Sequence, residues 1–107
     1  MRLMGMLLIL DSKQDDEHRY VRLRKGVNRI GRFGSRADIE VRDGEASEEH
    51  GLVICTTKAT RVVDLDSSNG TIVNGQKAEI ALLNDGDTLT VGRTRMVYVG
   101  FPYVAED

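Results

Sequence analysis

Nowhere along the chain does an apolar period of 3.6 residues persist over the roughly 11 residues that an amphipathic helix requires. Short runs rich in Val, Ile, Leu and Thr take its place, and Gly, Asn and Asp cut them apart. The runs are Leu3 to Leu10, Arg19 to Leu23, Asn28 to Gly31, Ile39 to Val41, Leu52 to Cys55, Arg61 to Asp64, Thr71 to Val73, Glu79 to Leu82, Thr88 to Val91 and Met96 to Val99. About ten to eleven short strands in about 100 residues predict an all-β fold, a β-sandwich whose two sheets face each other across one core.

Two local signals sharpen this. Val21-Arg22-Leu23-Arg24 alternates apolar and polar, which turns Val21 and Leu23 inward and both arginines outward. Asn74-Gly75, between Ile72-Val73 and Gln76 to Ile80, suits a two-residue hairpin turn whose central positions need φ > 0. Asn84-Asp85-Gly86-Asp87 is a similar break ahead of Leu89 and Val91. No repeat, linker or low-complexity tract interrupts the pattern, so residues 1–107 are read as a single domain, either a whole protein or a part of a longer one.

The first ten residues set Arg2 before a short apolar run, as a secretory leader does. The run is far shorter than the roughly 18 residues that span a bilayer, and the acidic stretch Asp11 to Glu17 follows without a small-residue cleavage site. We read it as a buried first strand in a cytoplasmic protein, which devalues Asn69-Gly70-Thr71 as a glycosylation sequon. The single cysteine, Cys55, allows no internal disulfide and no multi-cysteine zinc site; it reads as a small core residue. His18 is expected to be exposed, and Ala105-Glu106-Asp107 to be a natural end or the start of a linker.

A net charge of −2 gives no global field for nucleic acid, so an anion site has to be local. Three loops collect the residues for one: Gly31-Arg32-Phe33-Gly34-Ser35-Arg36, Ser47-Glu48-Glu49-His50 and Asp66-Ser67-Ser68-Asn69-Gly70-Thr71. A phosphate monoester carries about −1.5 to −2 charges and three strong acceptor oxygens. Its receptor needs a guanidinium, short hydroxyl donors and free backbone N–H groups, and these loops hold all three. On the residues alone, a lone Arg32 is by default a surface ion-pair partner, and Ser47, Ser68 and Asn69 are equally turn formers.

The joint pattern resembles the forkhead-associated (FHA) domain, a β-sandwich that binds phosphothreonine peptides through loops at one end. The resemblance spans most of the chain. It rests on Gly31-Arg32, Asp38-Ile39, Ser47 to His50, Ser67-x-Asn69-Gly70-Thr71 and Asn74-Gly75, in the order and spacing of that family. It implies that Arg32 and Ser47 bind the phosphate and that Ser68 and Asn69 hold phosphate and peptide backbone. Gly31, His50, Gly70, Thr71, Asn74 and Gly75 would support the site, and Gly92-Arg93-Thr94-Arg95 would read the residue three after the phosphothreonine. The two arginines there suggest an acidic preference. The implied partner is a phosphothreonine-containing protein or peptide made by a Ser/Thr kinase; no cofactor, metal, nucleic acid or membrane is implied.

One departure stands out, because Glu48 occupies a position where the family usually carries arginine, with Glu49 after it and Asp43 and Glu45 before. A carboxylate about 8 Å from a dianion costs on the order of 1 kcal/mol in a water-like dielectric. A second reading therefore stays open: a degenerate FHA scaffold for phosphate-independent assembly, as in secretion machinery. Other readings fall away. Ser47, His50 and Asp66 name a hydrolase triad, but the serine lacks a Gly-x-Ser-x-Gly elbow and sits too close to His50 in one loop. Arg22, Arg24, Lys25 and Arg29 lack the aromatic interleaving of a nucleic-acid site.

Overall fold

The computed structural model describes residues 3–10 and 19–101. The acidic run Asp11 to Glu17, His18 and the tail Ala105-Glu106-Asp107 lie outside the described residues. Eleven strands occur among the described residues: β1 (Leu3–Leu10), β2 (Arg19–Arg24), β3 (Gly26–Arg32), β4 (Ile39–Val41), β5 (Gly51–Cys55), β6 (Thr60–Asp64), β7 (Thr71–Val73), β8 (Gln76–Lys77), β9 (Ile80–Leu83), β10 (Thr88–Val91) and β11 (Thr94–Gly100). They form a six-stranded sheet in the order β2-β1-β11-β10-β7-β8 and a five-stranded sheet in the order β4-β3-β5-β6-β9. Among the described residues no helix is long and apolar enough to cross a membrane.

Alternation along most strands builds the core. Leu7 and Ile9 of β1, Leu23 of β2, Leu89 and Val91 of β10 and Met96 of β11 point inward from one sheet; Ile30, Ile39, Val41, Val53, Cys55 and Val62 point inward from the other. Val21 packs against this core as a partly buried residue, and Arg22 and Arg24 face out. Side chains of Val, Leu and Ile buried this completely contribute about 1.5–3 kcal/mol each in transfer from water.

Ten of the eleven strands match the runs read from sequence, with no end moved by more than two residues. The addition is β8, which pairs with β7 as Ile72↔Lys77 and Val73↔Gln76 across the Asn74-Gly75 turn. Both turn residues have positive φ, 49° and 83°, as a type I′ hairpin requires. The connection from β3 to β4 is less usual, because those strands run parallel, Ile30↔Ile39 to Arg32↔Val41. Parallel neighbours normally need a crossover of a dozen or more residues. Six suffice here because only three residue pairs are matched, so the loop travels back only about 7 Å along the strand direction.

Strand direction then decides where the loops emerge. The β3–β4, β4–β5, β6–β7 and β10–β11 connections leave one end of the sandwich together. The β5–β6 and β9–β10 connections leave the opposite end, where Thr56 to Thr60, Asn84, Asp85 and Phe101 line a cleft of about 400 Å³.

Candidate functional site

The β4–β5 loop, residues 42–50, is the hub of the polar end. The Arg32 N–H donates to the Ser47 carbonyl at 3.1 Å, tying the end of β3 to it. From β6–β7, the Ser68 N–H donates to Ser47 Oγ at 3.1 Å, and Asn69 Nδ2 donates to the Glu45 carbonyl at 2.9 Å. From β10–β11, the Arg93 N–H donates to Asp43 Oδ2 at 2.5 Å, and the buried Thr94 hydroxyl donates to the same oxygen at 3.1 Å. Arg32, Ser47, Ser68 and Asn69 are thus brought together from three separate loops.

The four side chains keep hydrogen-bonding capacity in reserve. The Arg32 guanidinium spends one N–H on the Ala46 carbonyl, at 3.3 Å, out of five donors. Because Ser47 Oγ accepts from Ser68, its own proton is free to donate outward. Ser68 and Asn69 are exposed. Such a constellation of guanidinium and hydroxyl donors suits a multiply charged oxyanion.

Beneath these donors lies a buried brace. His50 is fully buried; its Nδ1 accepts from the Ser47 N–H at 3.1 Å, so the proton sits on Nε2, which donates to the Gly70 carbonyl at 2.9 Å. One imidazole thereby fixes the β4–β5 loop to the β6–β7 loop through backbone. Asp64, at the end of β6, completes the support: it accepts from the hydroxyls of Ser67 (2.5 Å) and Thr71 (2.6 Å) and from the Ser67 N–H (3.1 Å), and lies 3.9 Å from His50 Nε2. Burial alone would push the Asp64 carboxyl up, but the bonds from Ser67 and Thr71 bring it below the usual range. The Ser67 hydroxyl also accepts from the Gly70 N–H at 2.9 Å.

Gly31 has a steric reason to precede Arg32, since a Cβ there would collide with the Glu48 carbonyl and with Ser35 Oγ. Asn74 uses its Oδ1 to accept the Thr88 N–H at 2.9 Å, and its own N–H donates to the Thr88 carbonyl at 3.0 Å. Among the described residues no cluster of three or more His, Cys, Asp or Glu side chains is placed to hold a metal ion.

The acidic residues are dispersed. Asp43 faces the β10–β11 turn. Glu45 Oε2 lies 2.6 Å from Arg93 Nε. Glu48 and Glu49 line a separate cleft of about 270 Å³ with Arg29, Arg36 and Leu65, and none of Arg32, Ser47, Ser68 or Asn69 lines it. Of the Gly92 to Arg95 segment, Gly92 and Arg93 form the turn, Thr94 is buried, and Arg95 stands exposed on β11 opposite Leu10 and Thr90.

Sequence reasoning missed Asp64 and the stacking of Arg42 on Phe33. Asp64 had a readable signal, the Asp-x-x-Ser spacing to Ser67, which favours a side-chain turn. The stack had none, because its partners are nine residues apart and each lies just past the end of one of two parallel strands.

The profile of the FHA domain matches residues 28–92. The ABC transporter ATP-binding/permease protein Rv1747 of Mycobacterium tuberculosis is 40% identical over 73 residues, 68% of this chain and 8% of that protein. The glycogen accumulation regulator GarA of the same organism is 34% identical over 71 residues, 66% of this chain and 44% of GarA. The chain therefore spans less than half the length of these curated relatives. A structure from a structural and functional analysis of phosphothreonine-dependent FHA domain interactions superposes with a TM-score of 0.82 at 29% identity, covering 92% of this chain and 98% of that one. With a profile match over more than half its length and the same fold in its structural neighbours, this chain belongs to the FHA domain family.

Proposed function

We propose that the chain is a single non-catalytic module that binds phosphothreonine-containing segments of a partner, or of its own parent chain, downstream of a Ser/Thr kinase in the cytoplasm. The observation that carries the reading is the convergence of Arg32, Ser47, Ser68 and Asn69 on one loop end, over a brace that spends both ring nitrogens of His50 on backbone. The phosphothreonine-dependent interactions named for the structurally similar FHA domain point the same way.

In this reading Arg32 and the Ser47 hydroxyl hold the phosphate, while Ser68 and Asn69 hold phosphate and peptide backbone. Gly31, His50, Gly70, Thr71, Asn74 and Gly75 keep the loops in place, and the Gly92 to Arg95 segment contributes to sequence selection. A charge-assisted hydrogen bond is worth roughly 1.5–3 kcal/mol, so two or three of them separate phosphorylated from unmodified peptide by a large factor. An engaged His50 also leaves no general base for Ser47, which supports a non-catalytic role. The placement of Glu48 and Glu49 beside Arg29 and Arg36 weighs against a degenerate scaffold, for which those carboxylates were the main argument.

The test is a titration of phosphothreonine, phosphoserine and unmodified peptides into wild type and Arg32→Ala. Phosphothreonine peptides are expected to bind wild type alone with useful affinity, and Arg32→Ala to weaken that binding at least about ten-fold. Equal binding of all three peptides, or no loss in the variant, would return the scaffold reading.

A further inference from the structure

Phe33 follows Arg32 directly in sequence and is 56% exposed. The Phe33 N–H donates to the Val41 carbonyl at 2.9 Å, which holds its backbone beside Arg42, the residue after β4. The Arg42 guanidinium carbon lies 4.6 Å from the centre of the ring, well within cation–π range. Among the described residues Arg42 has no ion-pair partner.

We infer that Phe33 and Arg42 form a second subsite beside the anion site, taking an acidic side chain of the same phosphopeptide. The inference rests on the phosphopeptide reading above and deepens it. A guanidinium lying on an aromatic face has lost much of its rotamer freedom, yet its N–H edges stay open for a bidentate carboxylate. Preorganisation of this kind lowers the entropy lost on binding.

The local charges favour this corner over the β10–β11 turn. Arg93 already meets Glu45, and Asp43 faces the same turn, so two carboxylates surround one arginine there. The β3–β4 corner carries Arg32, Arg36 and Arg42, and the carboxylates on it are engaged: Glu40 accepts from the Arg36 N–H at 2.8 Å, and Asp38 accepts from the Arg29 N–H at 2.8 Å and pairs with Arg24. Reach also suits it. An extended peptide advances about 3.3 Å per residue, so a side chain two or three positions from the phosphothreonine lies roughly 7–10 Å along, within the span of a long arginine next to the phosphate ligand.

Fluorescence anisotropy with phosphothreonine peptides bearing Asp or Ala at each position from three before to three after the phosphoresidue tests this, against wild type, Arg42→Gln, Phe33→Leu and Arg93→Gln. At one position two or three residues away, Asp is expected to tighten binding to wild type about three- to ten-fold. That gain is expected to shrink below about two-fold in Arg42→Gln and to fall partway in Phe33→Leu. Comparison of Asp with Ala peptides on each variant removes any general loss of affinity, and thermal melting confirms that the exposed substitutions leave the fold intact. The subsite is overturned if no position prefers Asp, if the preference survives Arg42→Gln, or if it follows Arg93→Gln instead. Phosphate-dependent binding with no flanking acidic preference sinks the subsite alone, whereas binding indifferent to phosphate sinks the underlying reading and the subsite together.

Discussion

Asp64 is the residue on which the polar end closes. It takes hydrogen bonds from Ser67 twice and from Thr71 once, and its carboxyl sits below the usual range in the folded state. An unfolded aspartate titrates near 3.9, so the folded protein binds fewer protons than the unfolded chain around that pH. The resulting stabilisation is complete above about pH 5 and is lost as pH falls through the lower folded-state value. Urea unfolding between pH 7 and pH 3 is expected to show this fall in wild type and to lose it in Asp64→Asn, which should start lower at pH 7 by about 1–3 kcal/mol. Parallel pH profiles for the two proteins would assign the acid sensitivity elsewhere. The sequence named Ser67 and Thr71 through the Ser-x-Asn-Gly-Thr pattern but not the carboxylate they serve. It also could not tell which way Glu48 points, because a side-chain direction depends on the loop path that Gly31 permits by its close approach to the Glu48 carbonyl.

At the level of elements, the hairpin β7–β8 was half legible. Asn74-Gly75 announced the turn, yet Gln76-Lys77 is too short and too polar to register as a strand, and only pairing with Ile72 and Val73 makes it one. Asn74 also reaches out of its own hairpin to Thr88 at the start of β10, so it joins the turn to the neighbouring strand. Asn74→Ala removes that side-chain acceptor and one favourable occupant of a positive-φ position. It is expected to cost about 1–2 kcal/mol in urea unfolding with an unchanged m value. An unaltered midpoint would mean that the backbone pairing of β7 with β10 suffices. The parallel β3–β4 step was not legible at all, since strand direction leaves no mark in side-chain alternation. The length of β11 was hidden for a related reason: Arg95 looks like loop, but its backbone pairs with Leu10 on one side and Thr90 on the other.

On the scale of the molecule, the two inner faces meet in one layer of aliphatic side chains, and Cys55 lies fully inside it. Burial pushes its thiol up, despite a hydrogen bond with Thr60, so the reactive thiolate is scarce as well as shielded. Labelling of Cys55 by a thiol reagent should therefore follow opening of the sandwich: negligible under native conditions, and rising with urea in step with the loss of β-structure signal. Fast labelling of the native protein would show that the sheets separate locally. This core was the most legible part of the fold, because period-two alternation fixes which residues face inward before any partner strand is known.

The β4–β5 hub has a bearing on how a ligand would be received. Its neighbours are fastened to it by bonds within the chain itself: Arg32 and Ser68 to Ser47, Asn69 to Glu45, Arg93 to Asp43. Ordering of the loops is thus completed during folding, and a docking peptide has little left to organise but itself. For such a receptor, differences among ligands reside in the ligands: a stiff or prolonged extended segment would outlast a floppy one bearing the same phosphate, and exchange among partners would run at the rate of release.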